Sequence, residues 1–296
     1  MRLRSYTLLR PPIPTVAEPG LGYAHLRGSA EQMAEVEARM FEMEGPLGRR
    51  GAIRLMAGAA ALGVGSVALA ACGASVPGAT AVTGGATLNA ANAQPSNPQS
   101  MVSVSGGTYT LVAQAGSVAS GAKEDACTYF FSEATQDGTY TCQVKTQPAA
   151  ASDTGWATAG LMARQSGDAG SPMVGVFATT GQGVQFMWRN TYQTAAAIWP
   201  MAIAIGVSAP IYVKLAKAGG NWTVSYSTDG KTYENATSMQ VAFSGTSYLI
   251  GLAASSHSKA QALDVFTNLT GFKSAPSMYL DVNSSNTKAN SSSSSA

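Results

Sequence analysis

Histidine and cysteine are nearly missing from this chain: 296 residues hold two of the first and three of the second. Imidazole is the usual proton carrier at neutral pH, and Cys/His groups build most structural zinc sites. From residue 72 onward only His257 remains, in Ser255-Ser256-His257-Ser258. It reads either as a general base or as a loop histidine at a strand end. Charge is scarce too, at 11%. Past residue 71 ten Lys and Arg balance ten Asp and Glu, so the formal +2 comes from the first 71 residues, where eight Arg face six Glu. No basic patch interleaved with aromatics occurs, which argues against nucleic acid as a partner. No E-x-D-x-E pattern occurs either. A glucanase-type hydrolase needs such alternation, because residues two apart on a strand share a face. Glu124 and Asp125, being adjacent, would point to opposite sides of an extended chain.

The chain also lacks an apolar run of comfortable membrane-spanning length. The longest, Leu55 to Ala71, is about 17 residues of mostly Ala, Gly, Leu and Val, at the lower edge for crossing a bilayer. It follows the charged stretch Arg49-Arg50-Gly51-Ala52-Ile53-Arg54, the layout of an export signal. The paired arginines resemble a twin-arginine address, although Gly51-Ala52-Ile53 departs from its usual continuation. The run ends in Leu69-Ala70-Ala71-Cys72, which resembles a bacterial lipobox. That resemblance implies lipidation of Cys72 and a membrane partnership through the lipid, since two acyl chains give stable anchoring. Residues 1–47 read as an N-terminal extension, either cytoplasmic or the product of a misassigned start, with Met40 or Met43 as the start that gives a signal of ordinary length. Residues 48–72 are the expected signal peptide. The protein is therefore expected to act outside the cytoplasm, on the periplasmic or extracellular face.

Cys127 and Cys142 are the two other cysteines, and in an oxidising compartment an even pair is most simply a disulfide. Thr128 to Phe131 and Gly138 to Thr141 read as strands around Gln136-Asp137-Gly138, which would place the two cysteines opposite each other in a hairpin.

Residues 73–104, rich in Ala, Gly, Ser, Thr and Asn, read as a flexible linker, and 276–296, closing in serines, as a disordered tail. Between them, residues 105–275 read as one domain of short strands: Thr108–Ala113, Thr128–Ser132, Gly138–Thr146, Met173–Ala178, Val184–Arg189, Ile211–Lys217, Asn221–Tyr226 with Lys231–Glu234, Tyr248–Ala254 and Leu263–Thr267. In two of them the pattern assigns faces, with Val184, Phe186 and Trp188 on one side and Ile211, Val213 and Leu215 opposite Tyr212 and Lys214. Trp156 to Gln165 is ambiguous between strand and helix. Many short strands with regular turns predict an all-β antiparallel sandwich.

Several motifs occur in a recognisable order. They are Asp137-Gly138-Thr139-Tyr140, Trp156-Ala157-Thr158-Ala159-Gly160-Leu161-Met162-Ala163-Arg164, Asp168-Ala169-Gly170-Ser171-Pro172, Val184 to Arg189, Tyr212-Val213-Lys214-Leu215, Tyr226 to Tyr233, and Ile250-Gly251-Leu252-Ala253. The series, ending in Val265 to Leu269, resembles the concanavalin A-like, DUF1349-type β-sandwich module over about residues 105–272. The resemblance implies a jelly-roll, an extracellular setting, association with carbohydrate-active proteins and glycan binding. Tyr233 stands where that pattern has Trp, and the cysteine pair is not part of it.

Sugars stack on flat rings, so Trp188, Tyr192 and Trp199, with Arg189 as a fixed donor, are the ligand-binding candidates. Trp156 and Trp222 read as core. The apolar run from Ile198 to Val207 reads as a buried strand or a docking edge. No cofactor is expected, with calcium on Asp153, Asp168 or Asp229 as the one metal candidate, though no clustered carboxylate loop exists. The reading is a non-catalytic lectin-like lipoprotein holding a polysaccharide. A polysaccharide hydrolase or lyase of the same fold and a structural envelope protein are the alternatives.

Overall fold

The computed structural model describes residues 76–82, 84–199 and 204–285. The N-terminal extension, the export signal, Cys72 and residues 286–296 lie outside them. Among the described residues there are fifteen strands and no α-helix, with single 3-10 turns at Ala90–Asn92 and Pro98–Ser100. No helix among them is long and apolar enough to cross a membrane.

The strands are β1 (Thr80–Ala81), β2 (Val102–Ser105), β3 (Thr108–Ala113), β4 (Cys127–Ala134), β5 (Gly138–Thr146), β6 (Thr158–Arg164), β7 (Met173–Thr179) and β8 (Val184–Arg189). They continue as β9 (Ala197–Ile198), β10 (Ile211–Ala218), β11 (Asn221–Ser227), β12 (Glu234–Gln240), β13 (Tyr248–Ser255), β14 (Ala262–Thr270) and β15 (Met278–Val282). Eight form one sheet in the order β1-β15-β4-β13-β6-β7-β8-β9, and seven form the other in the order β12-β11-β10-β5-β14-β3-β2. Every pairing between these strands is antiparallel. The fold is an antiparallel jelly-roll β-sandwich, as the pattern of strands predicts.

Alternation explains which side chains lie between the sheets. Val184, Phe186 and Trp188 of β8 and Ile211, Val213 and Leu215 of β10 all enter the central core, together with Phe130, Trp222, Ile250 and Phe266. The eight-stranded sheet differs from its partner in having a second apolar layer on its outer face. Cys127, Tyr129, Phe131, Met162, Met173, Phe177, Met187 and Leu249 are buried there. Its central strands are consequently buried on both sides, and β6, β7 and β13 read as unbroken apolar runs. That double burial is why Trp156 to Gln165 carried no clean period: β6 has two apolar faces. Gly160 and Gly251 serve the same crowding, since a Cβ on either would fall 2.0 and 2.1 Å from a carbonyl oxygen of the next strand.

Two expectations fail. Cys127 and Cys142 are both free and buried rather than bridged. Residues 135–137 do not turn a hairpin; they carry the chain from β4 in one sheet to β5 in the other. Cys127 then faces the outer apolar layer opposite Val282, while Cys142 faces the central core opposite Val213. Burial raises the pKa of both thiols well above the ordinary range.

The folded part also runs past 105–275 at both ends. β2 lies inside the expected linker, with Met101 and Val102 fully buried. β15 lies inside the expected tail, hydrogen-bonded between β1 and β4 and burying Tyr279, Leu280 and Val282. Both strands are short and lie among polar stretches, and a partner strand supplies the rest of their stability.

Candidate functional site

Three of the sequence motifs meet at one buried point. Arg164 ends β6, Arg189 ends β8, and the Asp168–Pro172 turn joins β6 to β7. Both guanidiniums close on Asp125, with all three side chains fully buried. Arg189 is bidentate, donating from Nη1 and Nη2 to the two carboxylate oxygens at 2.9 and 2.8 Å. Arg164 Nη1 donates to Oδ2 at 2.5 Å. The remaining donors bind backbone carbonyls: Ser166, Asp168 and Ala169 for Arg164, and Ala122, Ala169, Ser171 and Thr194 for Arg189. The cluster pins three loops over the outer face of the eight-stranded sheet. Arg189 is therefore spent on structure, not available to a ligand. Asp125, which the sequence showed only as one of two adjacent acids, is its counter-ion.

The other expected binding residues are not brought together. Trp188 is only 9% exposed and packs at 5.1 Å centroid distance against Phe186 in the central core. Trp199 is half-buried against that same core, its backbone N–H bonded to Phe186. Tyr192 is exposed, in the β8–β9 connection, where burial and the nearby Asp168 and Glu124 raise its phenol pKa. The run from Ile198 to Val207 is divided: Ile198 packs on the outer layer, Trp199 and Val207 on the central core, and Ile205 is exposed, while 200–203 lie outside the described residues.

The three calcium candidates sit on separate connections, and among the described residues no three Asp, Glu, His or Cys side chains gather to hold a metal. Asp153 Oδ1 accepts the N–H groups of Gly155, Trp156 and Ala157 at 3.0–3.1 Å, and Oδ2 accepts the Thr180 hydroxyl. Asp168 accepts from Ser166 Oγ. Asp229 Oδ1 accepts from the N–H groups of Lys231 and Thr232 and from Ser227 Oγ, and these donors hold its carboxyl at about 2. His257 lies in the β13–β14 connection with positive φ, its N–H bonded to Gly116.

One titratable group inside the sandwich has a consequence of its own. Asp264 of β14 is 2% exposed and its Oδ1 has no hydrogen-bond partner. Burial, then the charge of Asp153, raise its pKa well above the ordinary carboxylate value. An acid so raised contributes stability that is complete below its unfolded pKa, about 3.9, and is lost as pH rises through its folded value. Asp264→Asn is expected to flatten this slope. Urea midpoints measured from pH 4 to 8 should show the variant gaining on the parent as pH rises, by about 1–3 kcal/mol at the alkaline end. A parallel pair of pH profiles would refute this.

The outer face of the seven-stranded sheet is built differently. Register places Ser227, Tyr212, Gln143 and Thr267 in one cross-strand row, and Ser225, Lys214, Thr141 and Thr270 in the next. Polar groups link the rows: Thr267 Oγ1 and Asn268 Nδ2 both donate to Gln143 Oε1, at 2.9 and 3.1 Å, and Asn268 also reaches the Tyr212 hydroxyl at 3.3 Å. The hydroxyls of Thr141 and Thr270 are 2.6 Å apart. The β11–β12 turn curls over this face. It runs on through the segment Lys231–Glu234 expected as strand, because Asp229 gathers the next N–H groups and delays β12 until Glu234. Gly230, at φ +73, rests against the Tyr212 ring, where a Cβ would come within 2.8 Å. Tyr233 lies over Lys214, whose Nζ is 3.8 Å from the ring centre. Burial raises the Tyr233 phenol, opposed by a hydrogen bond with Thr141. Tyr212, Lys214 and Tyr233 lie within the resembling motifs, and the period-two pattern of β10 already put Tyr212 and Lys214 opposite the core side. What the sequence did not show is that β5 and β14 set amides and hydroxyls beside them.

Neither a protein-family model nor a curated protein matches this chain. Among solved structures it is similar to a functionally unknown protein from Saccharomyces cerevisiae, at 17% identity over 59% of this chain and 91% of that one, with TM-score 0.45. It is similar to xylan beta-1,4-xylosidase from Bacillus halodurans at 14% identity, covering 59% of this chain and 34% of the xylosidase, with TM-score 0.39. Carbohydrate-binding module CBM66 from Bacillus subtilis gives 17% identity, 66% and 96% coverage, and TM-score 0.32. The chain spans about a third of the xylosidase's length. These are likenesses of fold alone.

Proposed function

We propose that this chain is an exported, non-catalytic, lectin-like lipoprotein, anchored through Cys72, that holds glycan on the outer face of its seven-stranded sheet. The observation that carries the reading is the pair of cross-strand rows, where threonine hydroxyls, an amide and an ammonium stand beside the Tyr212 and Tyr233 rings, Ser225 and Ser227 being buried. A sugar presents the matching surfaces, hydroxyls at its rim and C–H groups on its faces. The rows contain neither carboxylate nor imidazole, so they offer contacts for holding a polymer and no general acid–base pair. The resemblance of the motif series to concanavalin A-like modules supports the same reading, and the lipobox-like segment at Cys72 supports an anchored setting.

Retention on a panel of immobilised polysaccharides tests it. The parent is expected to bind at least one polymer, Tyr212→Ala to bind it about tenfold more weakly, and Tyr192→Ala to bind it as the parent does. Thermal midpoints within a few degrees of the parent establish that the variants are folded. Binding lost in Tyr192→Ala and kept in Tyr212→Ala would move the site to the β8–β9 connection, and no binding to any polymer would end the glycan reading.

A further inference from the structure

Charge is unevenly distributed over the sandwich. The ten acids and ten bases that follow residue 71 cancel in total, yet the strands of the seven-stranded sheet contain only two carboxylates. One, Asp264, is buried between the sheets. The other, Glu234, starts the edge strand β12 and accepts from the inward-facing Tyr226 hydroxyl. Neither reaches the outer face. That face carries Lys214 at the centre of its second row, and Lys145 is exposed on β5 two residues beyond Gln143, where the pairing with β14 shifts register. Lys214 rests on the Tyr233 ring instead of on a carboxylate, and the third strand lysine, Lys217, is drawn off to Asp137 at 2.7 Å. In the overlying turn, Asp229 is followed two residues later by Lys231, so the turn brings no net charge.

We infer that the polymer held on this face is an acidic polysaccharide, one bearing carboxylates or sulfates along its backbone. This deepens the glycan reading and rests on it. Rings and amides on the face would contact any sugar, whereas Lys214 in a row without carboxylates, with Lys145 exposed farther along β5, favours a ligand that supplies the anions. Lys214 is the sharper of the two, because packing against Tyr233 restricts an otherwise flexible ammonium beside Thr141 and Gln143.

Charge can be varied while the sugar backbone stays constant. The full chain is to be tested against polygalacturonate and its fully methyl-esterified form, and against a sulfated galactan and its desulfated form. At least one acidic polymer is expected to bind about tenfold or more tightly than its neutral counterpart. That preference should fade as salt rises from 0.05 to 1 M and screening shortens to about 3 Å. Lys214→Gln is expected to weaken acidic binding about tenfold, Lys145→Gln several-fold, and Lys214→Arg little, with thermal midpoints unchanged. Equal binding of charged and neutral forms, or binding to neutral glycans only, overturns the inference and leaves the glycan reading standing. Acidic binding unmoved by the Lys214 and Lys145 substitutions overturns this placement of the charge, and no binding to any polymer overturns both readings.

Discussion

Replacing Asp125 with alanine is expected to lower folding stability by about 3–5 kcal/mol, the usual cost of stripping one partner from a buried ion pair. Arg164 and Arg189 would remain fully buried with no carboxylate between them. Their other donors bind carbonyls, which are dipoles and do not offset a second positive charge. The effect should spread along the chain, because the same guanidiniums hold the carbonyls of Ala122, Ala169, Ser171 and Thr194. Urea unfolding of Asp125→Ala gives the loss, and hydrogen exchange should show the 122–126, 166–172 and 191–196 backbones opening first. Asp125→Asn keeps the shape but not the charge and should fall between the two. A loss under 1 kcal/mol in Asp125→Ala would mean that water reaches the guanidiniums and that the node is not the dry cluster described.

Trp222→Ala is expected to cost a similar 3–5 kcal/mol for a different reason, a cavity instead of an orphaned charge. The ring is fully buried, packs on Phe243 and Tyr248 at 5.2 and 5.5 Å, and donates its indole N–H to the Val241 carbonyl at 3.2 Å. Truncation removes both aromatic contacts and leaves that carbonyl without its partner. Trp222→Phe should recover about half of the loss, since it restores much of the volume and not the donor. Asp125 and Trp222 share no partner, so the double variant should lose close to the sum of the two single losses. A deficit much smaller than the sum would show that the two sites unfold as one.

Two strands whose faces differ in polarity were legible to the residue. Gly138–Thr146 and Val184–Arg189 were expected with the bounds they have, because a period of two survives wherever the two faces differ. β6 was not, since both of its faces are apolar. β15 was missed because its sequence, Met278-Tyr279-Leu280-Asp281-Val282, sits between polar stretches, and its pairing with β4 lies far away along the chain. The cysteine pairing failed on topology: fourteen residues separate a hairpin's partners and a sheet crossing's non-partners equally well. The candidate site was half legible. Period marked Tyr212 and Lys214 as outward, while Gln143, Thr141 and Asn268 join them only through a register that no single strand encodes. Arg189 misled because a strand-ending arginine looks the same in sequence whether it faces a ligand or a buried aspartate.

The placing of β15 also sets a timetable. β4 is among the earlier strands to be made, yet its two hydrogen-bonding neighbours are β13 and β15, the latter ending at Val282 opposite Cys127. During synthesis Tyr129, Phe130 and Phe131 must therefore wait for well over a hundred residues before either edge of their strand is covered. A ribosome-bound fragment ending before Met278 carries an open, aromatic strand edge. Until β15 emerges, the aromatic strand β4 is accordingly open along one edge to pairing with another chain.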